Sequence, residues 1–100
     1  MRPLSAPEMI VVLEKAKEIL VADKENEGTM YFRDAIASAL AQNGWFFAGL
    51  DSHREKSITL KVASVLDLPQ NVDAVDEWDC GANYEDVSAA IDKTIELLKL

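Results

Sequence analysis

The densest group of chemically active side chains lies in residues 72–86, VDAVDEWDCGANYED, which hold six carboxylates, one tryptophan and the only cysteine. Asp73, Asp76, Glu77 and Asp79 offer hard oxygen ligands of the kind that bind a divalent cation. Their spacing differs from that of a calcium loop, which places acids at alternate positions around a central glycine. We therefore favour a solvated acidic surface over a metal site, and we expect no cofactor.

Two other residues could support nucleophilic or acid–base chemistry, but neither has the neighbours that such chemistry needs. His53 is the only histidine and lies in a polar stretch that we predict to be a loop, with no Ser or Cys partner that would complete a triad. Cys80 follows Asp79, and negative neighbours disfavour the thiolate form of a nucleophile. The sequence therefore predicts that the protein is not an enzyme.

The negative charge is concentrated in the acidic segment, which we define as residues 62–92. This segment holds eight of the eighteen acidic residues and none of the ten Lys and Arg residues, so the whole net charge of −8 belongs to it. We expect one acidic face that binds a partner, although a surface that serves only solubility is the competing interpretation. The candidate carboxylates are Asp67, Asp73, Asp76, Glu77, Asp79, Glu85 and Asp86.

Length and composition limit the classes of protein that fit. A chain of 100 residues, 49% of them hydrophobic and 28% charged, predicts a single domain over residues 1–100, and the apolar spacing described below predicts that it is helical. The net charge disfavours direct nucleic-acid binding and attracts a basic protein surface. No apolar run approaches the roughly 20 residues that cross a bilayer, and one cysteine fits a reducing compartment. We expect no secretion signal, because charged residues interrupt the apolar positions near the N-terminus. We expect a cytoplasmic protein without direct membrane contact, in the host cytoplasm if a phage encodes it.

The spacing of apolar residues predicts a compact all-α fold of about four helices, with a short helical turn before the last one. Ser5 and Glu8 have the spacing of a capping box, so the first helix should begin just after Ser5. The second should cover residues 30–42, with Thr29 as its N-cap and Asn-Gly at 43–44 as a left-handed stop.

The second half of the chain predicts two more helices. Ser57 should cap a third helix over residues 58–68, and Asn83 should cap the last one, with acidic residues in its first turn. Between them we expect one or two short turns, held to the core by apolar residues three apart, namely Val72, Val75 and Trp78.

Three consecutive aromatic residues, Trp45, Phe46 and Phe47, form the longest aromatic run. No helical or strand period buries three successive side chains, so at least one of them should remain partly exposed. We therefore add Trp45 and Phe46 to the candidate partner-binding residues, and this aromatic surface could support a homodimer.

Residues 62–98, VASVLDLPQNVDAVDEWDCGANYEDVSAAIDKTIELL, resemble a family of small uncharacterised bacterial and phage helical proteins. In that family a helix is followed by a short segment ending in Trp-Asn-Asp, then by a helix that opens with an acidic residue and valine. Trp78-Asp79-Cys80 takes the place of the tripeptide, with its second and third positions different, and Glu85-Asp86-Val87 takes the place of the helix start. The resemblance implies an all-α fold and no particular activity.

Two functions from different classes remain after these considerations. The first is a non-enzymatic binding protein, of the kind that phages use as anti-CRISPR or anti-restriction inhibitors, which occupies a basic nucleic-acid-binding surface of a host complex. The alternative is a small structural or regulatory helical module that homodimerises through the aromatic surface. An enzyme with a divalent metal in the acidic segment ranks third.

Overall fold

The structure, a computed structural model, describes residues 4–26, 30–45 and 52–100, and these residues form five α-helices. The helices are α1 (Ala6–Asn26), α2 (Phe32–Gln42), α3 (Ser52–Val65), α4 (Val72–Gly81) and α5 (Tyr84–Lys99). No β-strand occurs in these three ranges. The predicted all-α class is confirmed, and the helices number five rather than about four.

The helices surround a hydrophobic core. α1 packs against α2 and α5, while α3 packs against α4 and α5, and α2 also contacts α3 and α4. The radius of gyration, 12.4 Å, matches the value of about 13 Å for a compact domain of 100 residues. None of the described helices is both long and apolar enough to cross a membrane. The largest fully buried apolar side chains are Phe32, Leu13, Ile36, Leu40, Ile58 and Ile91.

Local capping interactions begin α1 and α5 where the sequence predicts them. The backbone N–H of Ser5 donates to Glu8 Oε1 at 2.9 Å, and the N–H of Glu8 donates to Ser5 Oγ at 3.4 Å. At the start of α5, Asn83 Oδ1 accepts from the N–H of Asp86 at 2.9 Å, and Asp86 accepts in return from Asn83. Both predicted N-caps are therefore confirmed, and Asp86 is used in a local capping box.

α2 begins at Phe32, two residues later than predicted, and Thr29 lies outside the described residues. Its end is as predicted, because Gly44 adopts a left-handed φ of 73°. The N–H of Trp45 then donates to the carbonyl of Leu40 at 2.8 Å, and the N–H of Gly44 donates to Ala41 at 3.0 Å. These two bonds form a Schellman motif, which satisfies the last carbonyls of the helix.

The prediction for the start of α3 is wrong. The helix begins at Ser52, so Ser57 lies inside it and is not its N-cap, and His53 is an exposed residue of its first turn rather than of a loop. Two charged residues in this turn, Arg54 and Glu55, are buried. Apolar spacing does not reveal a helical turn that buries charged side chains.

The short turns predicted before the last helix are a complete helix, α4, of ten residues. Asn71 caps it, since its Oδ1 accepts from the N–H of Ala74 at 2.7 Å. Val75 is fully buried, whereas Val72 and Trp78 are half-buried, and Trp78 packs against the core. The N-cap at Asn71 and the apolar side that carries Val75 stabilise a regular helix in this segment. The three apolar residues alone predict only short turns.

Asp67 ends α3 in a conformation that normally favours glycine. Its φ is 60°, and the N–H groups of Asp67 and Leu68 donate to Ser64 at 3.3 Å and Ala63 at 2.9 Å, in a second Schellman motif. A side chain at positive φ places its Cβ close to the backbone and is strained. The exposed Asp67 therefore carries a local conformational cost.

Replacing Asp67 by glycine should raise the free energy of unfolding by about 0.5 to 1 kcal/mol, because glycine adopts positive φ without this strain. Gly44→Ala should lower it by about 1 kcal/mol. A Cβ at Gly44 meets no atom within 4 Å, so that loss would come from the backbone alone. Urea melts measure both changes, and effects of the same sign in the two variants would contradict the interpretation.

Candidate functional site

Asp79, on α4, caps the beginning of α2. Its Oδ2 atom accepts a hydrogen bond of 2.9 Å from the backbone N–H of Phe32, which lies 47 residues earlier in the chain. Tyr31, at the N-cap position of α2, makes no side-chain capping bond. The first N–H groups of a helix lack partners within the helix and attract negative charge. Asp79 therefore supplies from another helix the acceptor that α2 lacks locally.

The surroundings of Asp79 favour the protonated form of its carboxyl group. Burial raises the pKa of Asp79 above its ordinary value, and the hydrogen bond from Phe32 lowers it by a smaller amount. The negative charges of Asp76 and Asp34 raise the pKa further. Because the charges of Asp76 and Asp34 raise the pKa of Asp79, the three carboxyl groups lie in one region of negative potential.

Arg33 connects α2 to both α3 and α4. Its Nε and Nη2 atoms donate to the two carboxylate oxygens of Glu55 at 2.5 and 3.3 Å, and Nη1 donates to Asp76 Oδ2 at 2.7 Å. The side chain of Glu55 is only 7% exposed, and Thr59 also donates to it, at 3.3 Å. The hydrogen bond to Glu55 is the main cause of a raised pKa for Arg33. A guanidinium with two carboxylate partners holds three helices in fixed positions.

Two more acids of the acidic segment pair with lysines of α1. Glu85 lies 3.0 Å from Lys24, which lowers the pKa of Glu85 through a hydrogen bond. Asp92 accepts two hydrogen bonds from Lys17, at 2.8 and 3.1 Å, and the pKa of Lys17 is raised. These contacts show that α1 and α5 run antiparallel, and because they are exposed, each contributes little to stability.

The remaining candidate carboxylates point into solvent. Asp67, Asp73 and Glu77 are exposed, and their side chains make no hydrogen bond or ion pair with another described residue. The seven predicted carboxylates are thus divided between internal contacts and an outward group. Their role in binding a partner stays a prediction.

The predicted aromatic surface is only partly described. Trp45 is half-buried and packs against the core, and its carbonyl accepts a hydrogen bond of 3.0 Å from Arg54 Nη1. Phe46 and Phe47 lie outside the described residues. The expectation that one of the three mediates a contact therefore stays a prediction.

An open groove of about 580 Å³ lies beside the Arg33 network. We call it the α2–α4 groove. Its lining includes Glu55 of α3. The residues at the start of α2 contribute Tyr31, Arg33, Asp34 and Ala37, and α4 contributes Asp76 and Cys80.

Sequence reasoning identified only Asp76 among the groove carboxylates and did not identify Tyr31, Arg33 or Glu55. The partners of Arg33 lie 22 and 43 residues away, so no local spacing connects them. One signal was available: Arg33 is the only Lys or Arg between residues 24 and 54. The helix dipole disfavours a base near the N-terminal end of a helix, and an acid that pairs with it offsets that cost.

Comparisons of this chain with protein-family models, with curated proteins and with solved structures find no match. The family resemblance of residues 62–98 therefore stays a prediction. Within the described ranges, no group of three or more His, Cys, Asp or Glu side chains is placed to hold a metal ion.

Replacing Asp79 by alanine should lower the free energy of unfolding by about 1 kcal/mol, because the N–H of Phe32 would lose its acceptor. Glu77→Ala is the matched control, since Glu77 is an exposed carboxylate on the same helix and should change stability by less than about 0.5 kcal/mol. Urea melts measure both variants. Equal losses would mean that the hydrogen bond that Asp79 accepts from Phe32 contributes nothing specific.

Asp79→Asn should change the pH dependence of stability. A carboxyl group with a raised pKa binds its proton more tightly in the folded protein, so its contribution to stability grows as pH falls through that pKa and is least favourable at neutral pH. Asparagine keeps an oxygen for Phe32 and removes the charge.

We therefore expect the Asn variant to be at least as stable as the unchanged protein at neutral pH, with an advantage that shrinks as pH falls toward the raised pKa of Asp79. Chemical unfolding over a pH series measures this difference, with Glu77→Gln as the charge-matched control. An advantage that stays constant with pH would show that ionisation of Asp79 has no part in it.

Proposed function

We propose that this protein is a non-enzymatic acidic binding protein that docks on a basic surface of a protein partner. The observation that carries the proposal is the outer face of α4, which we define as Asp73, Asp76, Glu77 and Cys80. Residues three and four apart lie on the same side of a helix, so the three carboxylates form one row. Val75, on the opposite side, is fully buried.

The outward charges are well suited to long-range attraction. Asp73 and Glu77 are exposed, Asp67 is exposed in the turn before α4, and the side chain of Asp76 is 47% exposed although it pairs with Arg33. Exposed carboxylates add little to folding stability, but they act over the Debye length of about 8 Å at physiological ionic strength. Such charges raise the association rate with a basic partner.

The class of partner follows from the sign and density of the charge. Concentrated Lys and Arg surfaces are typical of protein complexes that bind nucleic acid. We therefore propose that the partner is such a complex in a host cell and that this protein inhibits it, as phage anti-CRISPR or anti-restriction proteins do. The small size of the chain and its net charge of −8 support this proposal. On this proposal it works in the host cytoplasm without contacting nucleic acid or membrane itself.

A structural or regulatory module that homodimerises through the aromatic surface is the alternative. The half-buried Trp45 packs against the core, so such a dimer would depend mainly on Phe46 and Phe47. Sedimentation separates the two proposals, because a tight homodimer with no retained partner would favour the module.

The test of the binding proposal neutralises the outward charges and spares the structural ones. In one variant Asp67 and Asp73 become Asn and Glu77 becomes Gln; in the control, three exposed acids elsewhere, Glu14, Glu25 and Glu96, become Gln. Both variants have the same net charge, so a difference between them reports position. Circular dichroism checks that each is folded.

A partner captured from host lysate is purified, and its association with each variant is measured at several salt concentrations. The variant neutralised at Asp67, Asp73 and Glu77 should associate with the partner about three- to tenfold more slowly than the unchanged protein. Its association should depend less on salt, and its dissociation rate should be nearly unchanged. The control should behave much more like the unchanged protein. Identical rates and salt slopes in the two variants would mean that the charge near α4 serves solubility.

A further inference from the structure

The α2–α4 groove combines an excess of negative charge with an aromatic wall. Three carboxylates line it, from Asp34, Glu55 and Asp76, against the single guanidinium of Arg33. Glu55 is buried and already accepts from Arg33 and Thr59, so it is not available to a ligand. The groove differs from a surface cluster of acids, because Arg33 pairs within it with both Glu55 and Asp76, while Asp34 pairs with no described cation.

Asp34 and Asp76 keep acceptor capacity that no described residue uses. Asp34 is exposed, and its side chain makes no hydrogen bond with another described residue. Asp76 uses Oδ2 for Arg33, while its Oδ1 accepts from no described group. Both charges act on Asp79, which places them in the same region of negative potential. A cation in the groove would relieve this repulsion.

Tyr31 determines what kind of cation the groove suits. The residue is 57% exposed, at the start of α2 beside Asp34, and lines the groove. An exposed aromatic ring attracts a cation to its face, as Tyr84 does in this protein, where Lys24 Nζ lies 4.6 Å from the ring centre. A guanidinium is flat and weakly hydrated, so it can stack on a ring while it donates to a carboxylate.

We propose that the α2–α4 groove binds an arginine side chain of the protein partner, with its guanidinium against Tyr31 and between Asp34 and Asp76. This inference rests on the proposed function and names the group by which the partner is recognised. A volume of about 580 Å³ is ample for one arginine side chain. The outer face of α4 attracts the basic surface, and the groove selects arginine from it.

The test uses a blocked Gly-Arg-Gly tripeptide as the probe. It is titrated at low ionic strength into isotope-labelled protein while amide chemical shifts are followed. The control peptide carries citrulline, which has nearly the shape of arginine but no charge. We expect the amides of Tyr31, Asp34, Ala37 and Cys80 to shift with the arginine peptide and to respond much less to the citrulline peptide.

Variants of the protein separate the groove from general charge attraction. Tyr31→Ala and Asp34→Asn should each weaken binding about two- to fivefold, which is the range for an exposed cation–π contact or ion pair. Glu96→Gln removes an exposed charge of α5 that does not line the groove, and it should leave the affinity unchanged within error. Equal weakening by Asp34→Asn and Glu96→Gln would overturn the proposal.

The single cysteine gives a second readout. Cys80 is exposed and lines the groove, so a bound arginine peptide, which covers the thiol and adds a positive charge beside it, should change its alkylation rate by iodoacetamide in proportion to occupancy. The citrulline peptide should not. The proposal would be overturned by absent groove shifts at millimolar arginine peptide, by equal responses to both peptides, or by an unchanged alkylation rate at saturation.

The result can be separated from that of the proposed function, because the titration needs no partner. Failure of the tripeptide to bind would remove the groove as the arginine site and leave the kinetic test of the outward charges intact. Failure of the kinetic test together with specific binding of the tripeptide would leave an arginine-binding groove in a protein that does not use its outward charges for steering.

Discussion

A helix end that lies against other helices must find acceptors for its first N–H groups, and α2 finds one of them on α4. The hydrogen bond from Phe32 to Asp79 brings α4 to the beginning of α2. The next residue, Arg33, reaches Glu55 on α3 and Asp76 on α4 from the same helix end. Three helices therefore meet at two successive residues, and their relative positions depend on this meeting point.

The energies of these contacts differ with burial. Glu55 is almost completely buried, and removing its partner Arg33 would leave an unpaired carboxylate there at a cost of about 3 to 5 kcal/mol. The pairs of α1 with α5 are exposed, so each contributes little to stability. Among the carboxylates of the acidic segment, Asp76 and Asp79 contribute most to the fold through their contacts with the start of α2, whereas Glu85 and Asp92 contribute little.

The structural and proposed binding roles of the acidic segment are carried by different sides of α4. Asp79 faces α2 and shares its region with Asp76 and Asp34, whose charges raise its pKa. Glu77 and Asp73 point outward. Asp76 belongs to both sides, because one of its oxygens pairs with Arg33 while its side chain remains half-exposed. A binding groove and a capping interaction can thus occupy the same helix end without competing for the same oxygen atoms.

Elements whose signals lie within a few residues could be predicted from the sequence. The capping patterns at Ser5 and Asn83 and the left-handed stop at Gly44 act through bonds that span three to five residues, and apolar periodicity is sufficient for the all-α class. Apolar spacing does not reveal the start of α3, because its first turn buries charged residues, and the three apolar residues of α4 predict only short turns. The inward roles of Asp76 and Asp79, and the whole groove, were decided only by tertiary structure. Their partners lie 43 and 47 residues away, and at such separations the sequence records which charges exist but not which of them meet.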